Sequence, residues 1–220
     1  MQPEIDAASV VSFHDRQLRE RDWPMLSHAQ PGASLWQAID AGHRYNGLLQ
    51  REELRAQRTG ASSDDIAAAK RLIDRYQGRR QDAVEAIDDA LLAAFAGVTR
   101  LPGARLHSET AGAMIDRLSV LAVKAHHLRA RCGPADPGAG LDACAAGLER
   151  LAAQRADLMS CLDALLHDVQ AGCAWFNPCP QVRITDTPAP DSWRHGRTQA
   201  QAQTPAQSTA QARAGAGRAP

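Results

Sequence analysis

From Ser63 to Gly97 the chain runs without a proline, and its apolar residues recur at intervals of three and four: Ile66, Ala69, Ile73, Tyr76, Ala83, Val84, Ile87, Leu91 and Phe95. That period predicts a single helix of about 30 residues, about 45 Å long if straight, with one stripe turned to a core. Ser63 is placed to cap it, and Asp64 and Asp65 sit where the helix dipole favours acids. A stripe of this length must be covered along its whole extent. With apolar residues at 44% of the chain and aromatics at only 4%, the cover is built from Leu, Ala, Ile and Val, which pack well between helices.

The other segments read the same way. A first helix is expected over Glu4 to Arg21, stopping before Trp23-Pro24. Ser34 and Gln37 look like a capping box that opens a second helix, ended by Thr59-Gly60. A fourth helix starts near Thr110 and stops at Cys132 to Pro134. The "GPADPGAG" stretch leads into a last helix with a seam of Leu141, Cys144, Leu148, Leu151, Leu158, Leu162, Leu165 and Val169. Arg80 and Arg155 interrupt the third and last seams. The expected architecture is all-α: an antiparallel bundle of about five helices. An N-terminal helix and loop take residues 1–30, the bundle 31–175, and a disordered, mildly basic tail rich in Pro, Gln, Ala and Thr takes 176–220.

Composition narrows the function. Basic and acidic side chains balance at 25 each, which removes the field a nucleic-acid partner would require. The N-terminus has early acids and no uninterrupted apolar stretch, so neither a signal peptide nor a membrane span is expected and a cytoplasmic location follows. Cys132, Cys144, Cys161, Cys173 and Cys179 are odd in number and lack a CxxC pair, which reads as reduced thiols rather than a disulfide framework.

Helical geometry then groups the polar residues. Asp74, Gln81, Glu85 and Asp88 fall within about 40° of one line at the edge of the third helix's seam. On the fourth helix Asp116 and His127 share one face, and Arg117 and Lys124 another. Carboxylates gathered in a cleft either hold a hard cation, with Mg²⁺ the candidate, or pair with cations such as Arg80, Arg117, Lys124 and Arg155. Glu109, just before the expected N-cap Thr110, either helps to cap the helix or marks an anion site completed by Arg117. Both alternatives stay open at this level.

The stretches "IDRYQGRRQDAVEAID" (Ile73 to Asp88) and "SETAGAMIDRLSVLAVKAHH" (Ser108 to His127) carry a resemblance. They resemble two motifs of a bacterial domain-of-unknown-function family, number 4254, and the likeness extends over Leu35 to Gly172. This chain departs from that pattern with Gln77-Gly78 for Asn-Gln, Gln81 for Asn, Ala111 for Pro, and Ile39 and His43 at an acidic and a basic position. The resemblance implies a helical protein encoded among lipopolysaccharide and other surface-polysaccharide genes, often beside glycosyltransferases.

The resulting expectation is a surface-glycan protein acting on a phosphorylated or nucleotide-activated sugar in a cleft between the third and fourth helices. Arg80, Arg117 and Lys124, with Glu109 and Thr110 at the helix start, form the substrate-binding set. Asp74 and Asp88 are the metal candidates, and Asp116, Glu85 and His127 the acid–base candidates. The alternatives are a non-catalytic helical partner of a glycosyltransferase and a Mg-dependent all-α nucleotide pyrophosphohydrolase. The paired ExxE motif of that last class is only partial here, at Glu52 to Arg55 and Glu85 to Asp88.

Overall fold

Five helices carry the fold of this computed structural model, which describes residues 5–25, 34–132 and 141–178: α1 (Ala7–Gln17), α2 (Leu35–Ala56), α3 (Ser63–Ala94), α4 (Ala111–Arg131) and α5 (Leu141–Gln170). They form the all-α antiparallel bundle expected from the periodicity. Each start has a local chemical reason. Asp6 and Ser9 form a capping box on α1, while the hydroxyls of Ser34 and Thr110 accept the main-chain N–H groups of Gln37 and Ala113. On α3 the cap is Ser62 and not Ser63: its hydroxyl accepts from the Asp65 N–H at 3.1 Å, which makes Ser63 the first helical residue.

α4 is the hub, since it packs against each of the other four helices. Its buried Met114, Ile115 and Leu118 meet Ile87 and Leu91 of α3, Ile39 of α2, Val10 of α1 and Leu162 of α5 in one core. The α3 seam faces the core as its spacing implies, with Ala69, Ile73, Ala83, Val84, Ile87 and Leu91 buried and Tyr76 and Phe95 half-buried; one seam residue departs. Ile66, in the first turn of α3, is 45% exposed. The α5 seam is fully buried only over its second half, at Leu158, Leu162, Leu165 and Val169; Cys144, Leu148 and Leu151 are half-buried.

Three features differ from the sequence reading. α1 ends at Gln17, and turns carry the chain on to Met25. Two short strands, β1 (Arg105–Leu106) and β2 (Ala174–Trp175), pair in parallel in segments without periodicity. Cys132 and Cys144, expected to be reduced, form a disulfide: the end of α4 and the first turn of α5 place their Cα atoms 6.1 Å apart, a proximity no cysteine count reveals. Cys161 and Cys173 are free and exposed. The chain to Pro180 is one compact unit that includes α1, and the expected disordered tail falls, from residue 179 on, outside the described residues. Among the described residues no helix is long and apolar enough to cross a membrane.

Candidate functional site

The start of α4 is where the two motifs meet. Gly112 lies so close to α3 that a Cβ there would come within 2.7 Å of both an Asp88 carboxylate oxygen and the Val84 carbonyl. The gap admits only glycine, and through it the Gly112 N–H donates to Asp88 Oδ1 at 2.7 Å. Burial pushes the Asp88 carboxyl up, opposed by hydrogen bonds from Thr110 and Gly112. Asp88 therefore supplies, from the neighbouring helix, the anion that a helix N-terminus attracts. Glu109, on the solvent side, accepts two hydrogen bonds from Arg117, at 2.7 and 2.9 Å. The anion position foreseen at this helix start is thus taken up by the protein's own carboxylates.

One turn further along α4, a buried network replaces apolar packing. Arg80 of α3 grips Asp116 through two hydrogen bonds, with Nε on Oδ1 at 2.8 Å and Nη2 on Oδ2. Asp116 holds the guanidinium proton more firmly than water would. Asn46 of α2 donates to both Asp116 Oδ1 and Ser119 Oγ, each at 2.9 Å. Ser119 in turn shares a 2.7 Å hydrogen bond with Nδ1 of His43. The His43 ring stacks on that of His14 from α1, with centroids 4.5 Å apart. Burial lowers the His43 pKa to about 3 and takes His14 well below its usual range, so both rings are neutral. Neither nitrogen of His14 has a hydrogen-bond partner among the described residues. A cavity of about 10 Å³, lined by both histidines, Asp116 and Ser119, adjoins the stack.

The outward end of this network opens into a groove. Side-chain exposure falls from 35% at Arg80 to 5% at Asp116, so the guanidinium marks the boundary between interior and solvent. Two cavities, of about 660 and 190 Å³, both have Arg80, Val120 and Lys124 in their walls. The larger runs between α4 and α5 and adds His107, Glu109, Arg117, Gln154 and Asp157; the smaller adds Gln50 and Glu53 of α2. Lys124 is exposed and makes no ion pair among the described residues. Arg80 makes no hydrogen bond there through Nη1.

The sequence-derived set is therefore divided. Arg80, Arg117, Lys124 and Glu109 come together at the larger cavity, which lies between α4 and α5 and not between α3 and α4, with Arg80 reaching in from α3. Thr110 caps α4. Asp116 points inward. Glu85 accepts from Gln81 on its own helix at 3.1 Å, and His127 packs edge-on against His126; neither lines the described cavities. Burial lowers the pKa of His127. Asp74 pairs with Lys70 at 2.7 Å in solvent, about 21 Å along α3 from Asp88. Among the described residues no three His, Cys, Asp or Glu side chains are grouped to hold a metal ion.

Sequence reasoning missed His14, His43, Asn46 and His107. For two of them there was a signal: His43 and Asn46 lie one turn apart within the apolar run of α2, as Asp116 and Ser119 do on α4.

A family model described as "Protein of unknown function (DUF4254)" matches residues 36–177. No curated protein and no solved structure matches the chain.

Proposed function

The chain belongs to the DUF4254 family, and we propose that it binds a phosphorylated or nucleotide-activated sugar in the groove along α4, as a protein of bacterial surface-glycan (lipopolysaccharide) biosynthesis. The pathway is carried over from the resemblance in Ile73 to Asp88 and Ser108 to His127. One observation supports the ligand class: Lys124, a cation without a carboxylate partner among the described residues, stands with Arg80 in the shared wall of two adjoining cavities. Their volumes fall in the range of small-molecule sites or just below it, roughly 300–1,000 Å³. Arg80 is prepared for this role, since Asp116 fixes the plane of its guanidinium and leaves Nη1 to meet a phosphate.

Lys124 would add a movable point charge, with Gln154 and Asp157 opposite for sugar hydroxyls. Asp116 is committed to Arg80 and Asn46, so it acts by orienting Arg80. His107 and Asp157 are then the titratable groups best located for proton transfer to a bound ligand.

Calorimetry with a panel of nucleotide sugars tests the reading. At least one should bind, and Lys124→Gln should weaken it by about tenfold, the loss of one charge-assisted hydrogen bond. Asp74→Asn, on the outer face, should leave the affinity unchanged. No measurable binding by the wild-type chain at millimolar ligand would sink the proposal. A second reading, a non-catalytic partner of a glycosyltransferase, is favoured by the inward direction of the Asp116 hydrogen bonds, which suit a register-fixing role.

A further inference from the structure

A separate cavity of about 290 Å³ lies at the opposite end of α5 from the disulfide, walled by Leu92, Phe95, Val98, Val169 and Phe176 with Trp175 and Arg100. No acidic side chain lines it. Its one charged group is Arg100, which is exposed, has no ion pair among the described residues, and lies over the Trp175 ring with its guanidinium carbon 4.1 Å from the centroid. Stacking on an indole holds a guanidinium by its face and leaves its N–H edge free for an anion.

The backbone around the cavity is fixed. Gly172, at φ 74°, ends α5 so close to the chain at Thr99 that a Cβ would come within 2.4 Å of the Thr99 carbonyl. The Leu101 N–H donates to the Gly172 carbonyl at 3.0 Å and that of Arg105 to the Cys173 carbonyl at 2.9 Å. Two of the exposed large hydrophobic residues, Leu101 (50%) and Leu106 (57%), belong to this same segment.

We propose that this cavity is a binding site for an anionic amphiphile, with a short alkyl or isoprenoid chain in the apolar pocket and a single phosphate or carboxylate on Arg100. The charge fits, since Arg100, the charged residue of this cavity's wall, has no ion pair among the described residues and stands beside an apolar interior. The size also fits, because a cavity of this volume is near the lower end of small-molecule sites and takes a chain of limited length. The site is independent of the groove along α4 and shares no residue with it.

The test is calorimetry of the full chain with hexyl and octyl phosphate below their micellar concentrations, with inorganic phosphate and octyl glucoside as separate arms. Octyl phosphate should bind, with affinity rising about fourfold per methylene as hydrocarbon leaves water. Inorganic phosphate should give no heat. Arg100→Gln should weaken octyl phosphate by about tenfold and leave octyl glucoside unaffected. Ala96→Trp, a substitution at an exposed turn in the cavity wall, should abolish both. No binding of octyl phosphate, or equal binding in Ala96→Trp, would overturn the site. So would adsorption to anionic vesicles that survives Ala96→Trp and vanishes in Leu101→Asp, which would mark a membrane-surface patch. A dimer that Ala96→Trp dissociates would assign the pocket to a second copy.

Discussion

Gly112 and Asp88 were each visible as motif positions, but their partnership was not. Wheel arithmetic sorts residues on one helix, and this contact joins residues 24 apart on two helices across a loop. Asp88 accordingly reads from sequence as one of a row of acids, whereas its raised pKa and its hydrogen bond to Gly112 make it a buried cap. The contact predicts a large effect from a small change. Gly112→Ala places a methyl against Val84 and Asp88 and should cost about 1–3 kcal/mol by overpacking, read as a lower urea midpoint. Gly97→Ala, where a Cβ meets nothing within 4 Å, should instead leave the midpoint unchanged or raise it slightly. Equal losses in both variants would mean that the α3–α4 approach is not tight.

At the scale of elements, the long amphipathic helices were legible because their seams recur within one segment, while their tertiary locks were not. α1 is the clearest example. Its first N–H donates to Asp163 of α5 at 2.7 Å, and Asp15 pairs with Arg155 at 2.8 Å. Arg155 had read as an interruption of the α5 seam; its place is explained by α1. The disulfide belongs here too, because it ties the end of α4 to the start of α5 across 12 residues. Closing a loop of that length stabilises the fold by about 3 kcal/mol in the chain-entropy account. Urea unfolding with and without a thiol reductant should differ by about that amount. A Cys132→Ser, Cys144→Ser protein should match the reduced wild type and ignore the reductant. A wild type equally indifferent to reductant would show that the bridge adds nothing.

The whole molecule carries the histidine pair, since His14, His43, Asp116 and Arg155 come from four different helices. Sequence reading treated each helix separately and registered His43 only as a departure from the family pattern. Both imidazoles are buried neutral, with pKa values below the ordinary 6.5 and that of His43 at about 3. The sign follows from linkage: below pH 6.5 the unfolded chain binds protons that the folded chain refuses, so stability is complete above that pH and falls as the solution is acidified toward pH 3. These two groups contribute a slope approaching about 2.7 kcal/mol per pH unit once both are protonated in the unfolded chain, and His127, whose pKa burial also lowers, adds to it in the same direction. Asp88 acts in the opposite sense over the carboxylate range, because burial raises its pKa, so the measurement is best made between about pH 5 and 7. His14→Phe separates the two histidines. His14 is 0% exposed and its nitrogens bond to nothing described, so a ring of similar shape forfeits no hydrogen bond and should cost little at neutral pH. In acid the same variant should be the more stable protein, with a slope smaller than the wild type's by about 1.4 kcal/mol per pH unit. An unchanged slope would mean that His14 takes up its proton in the folded state. The contact between α1 and α2 would then have to tolerate a charge that its apolar surroundings, with Arg155 nearby, leave unneutralised.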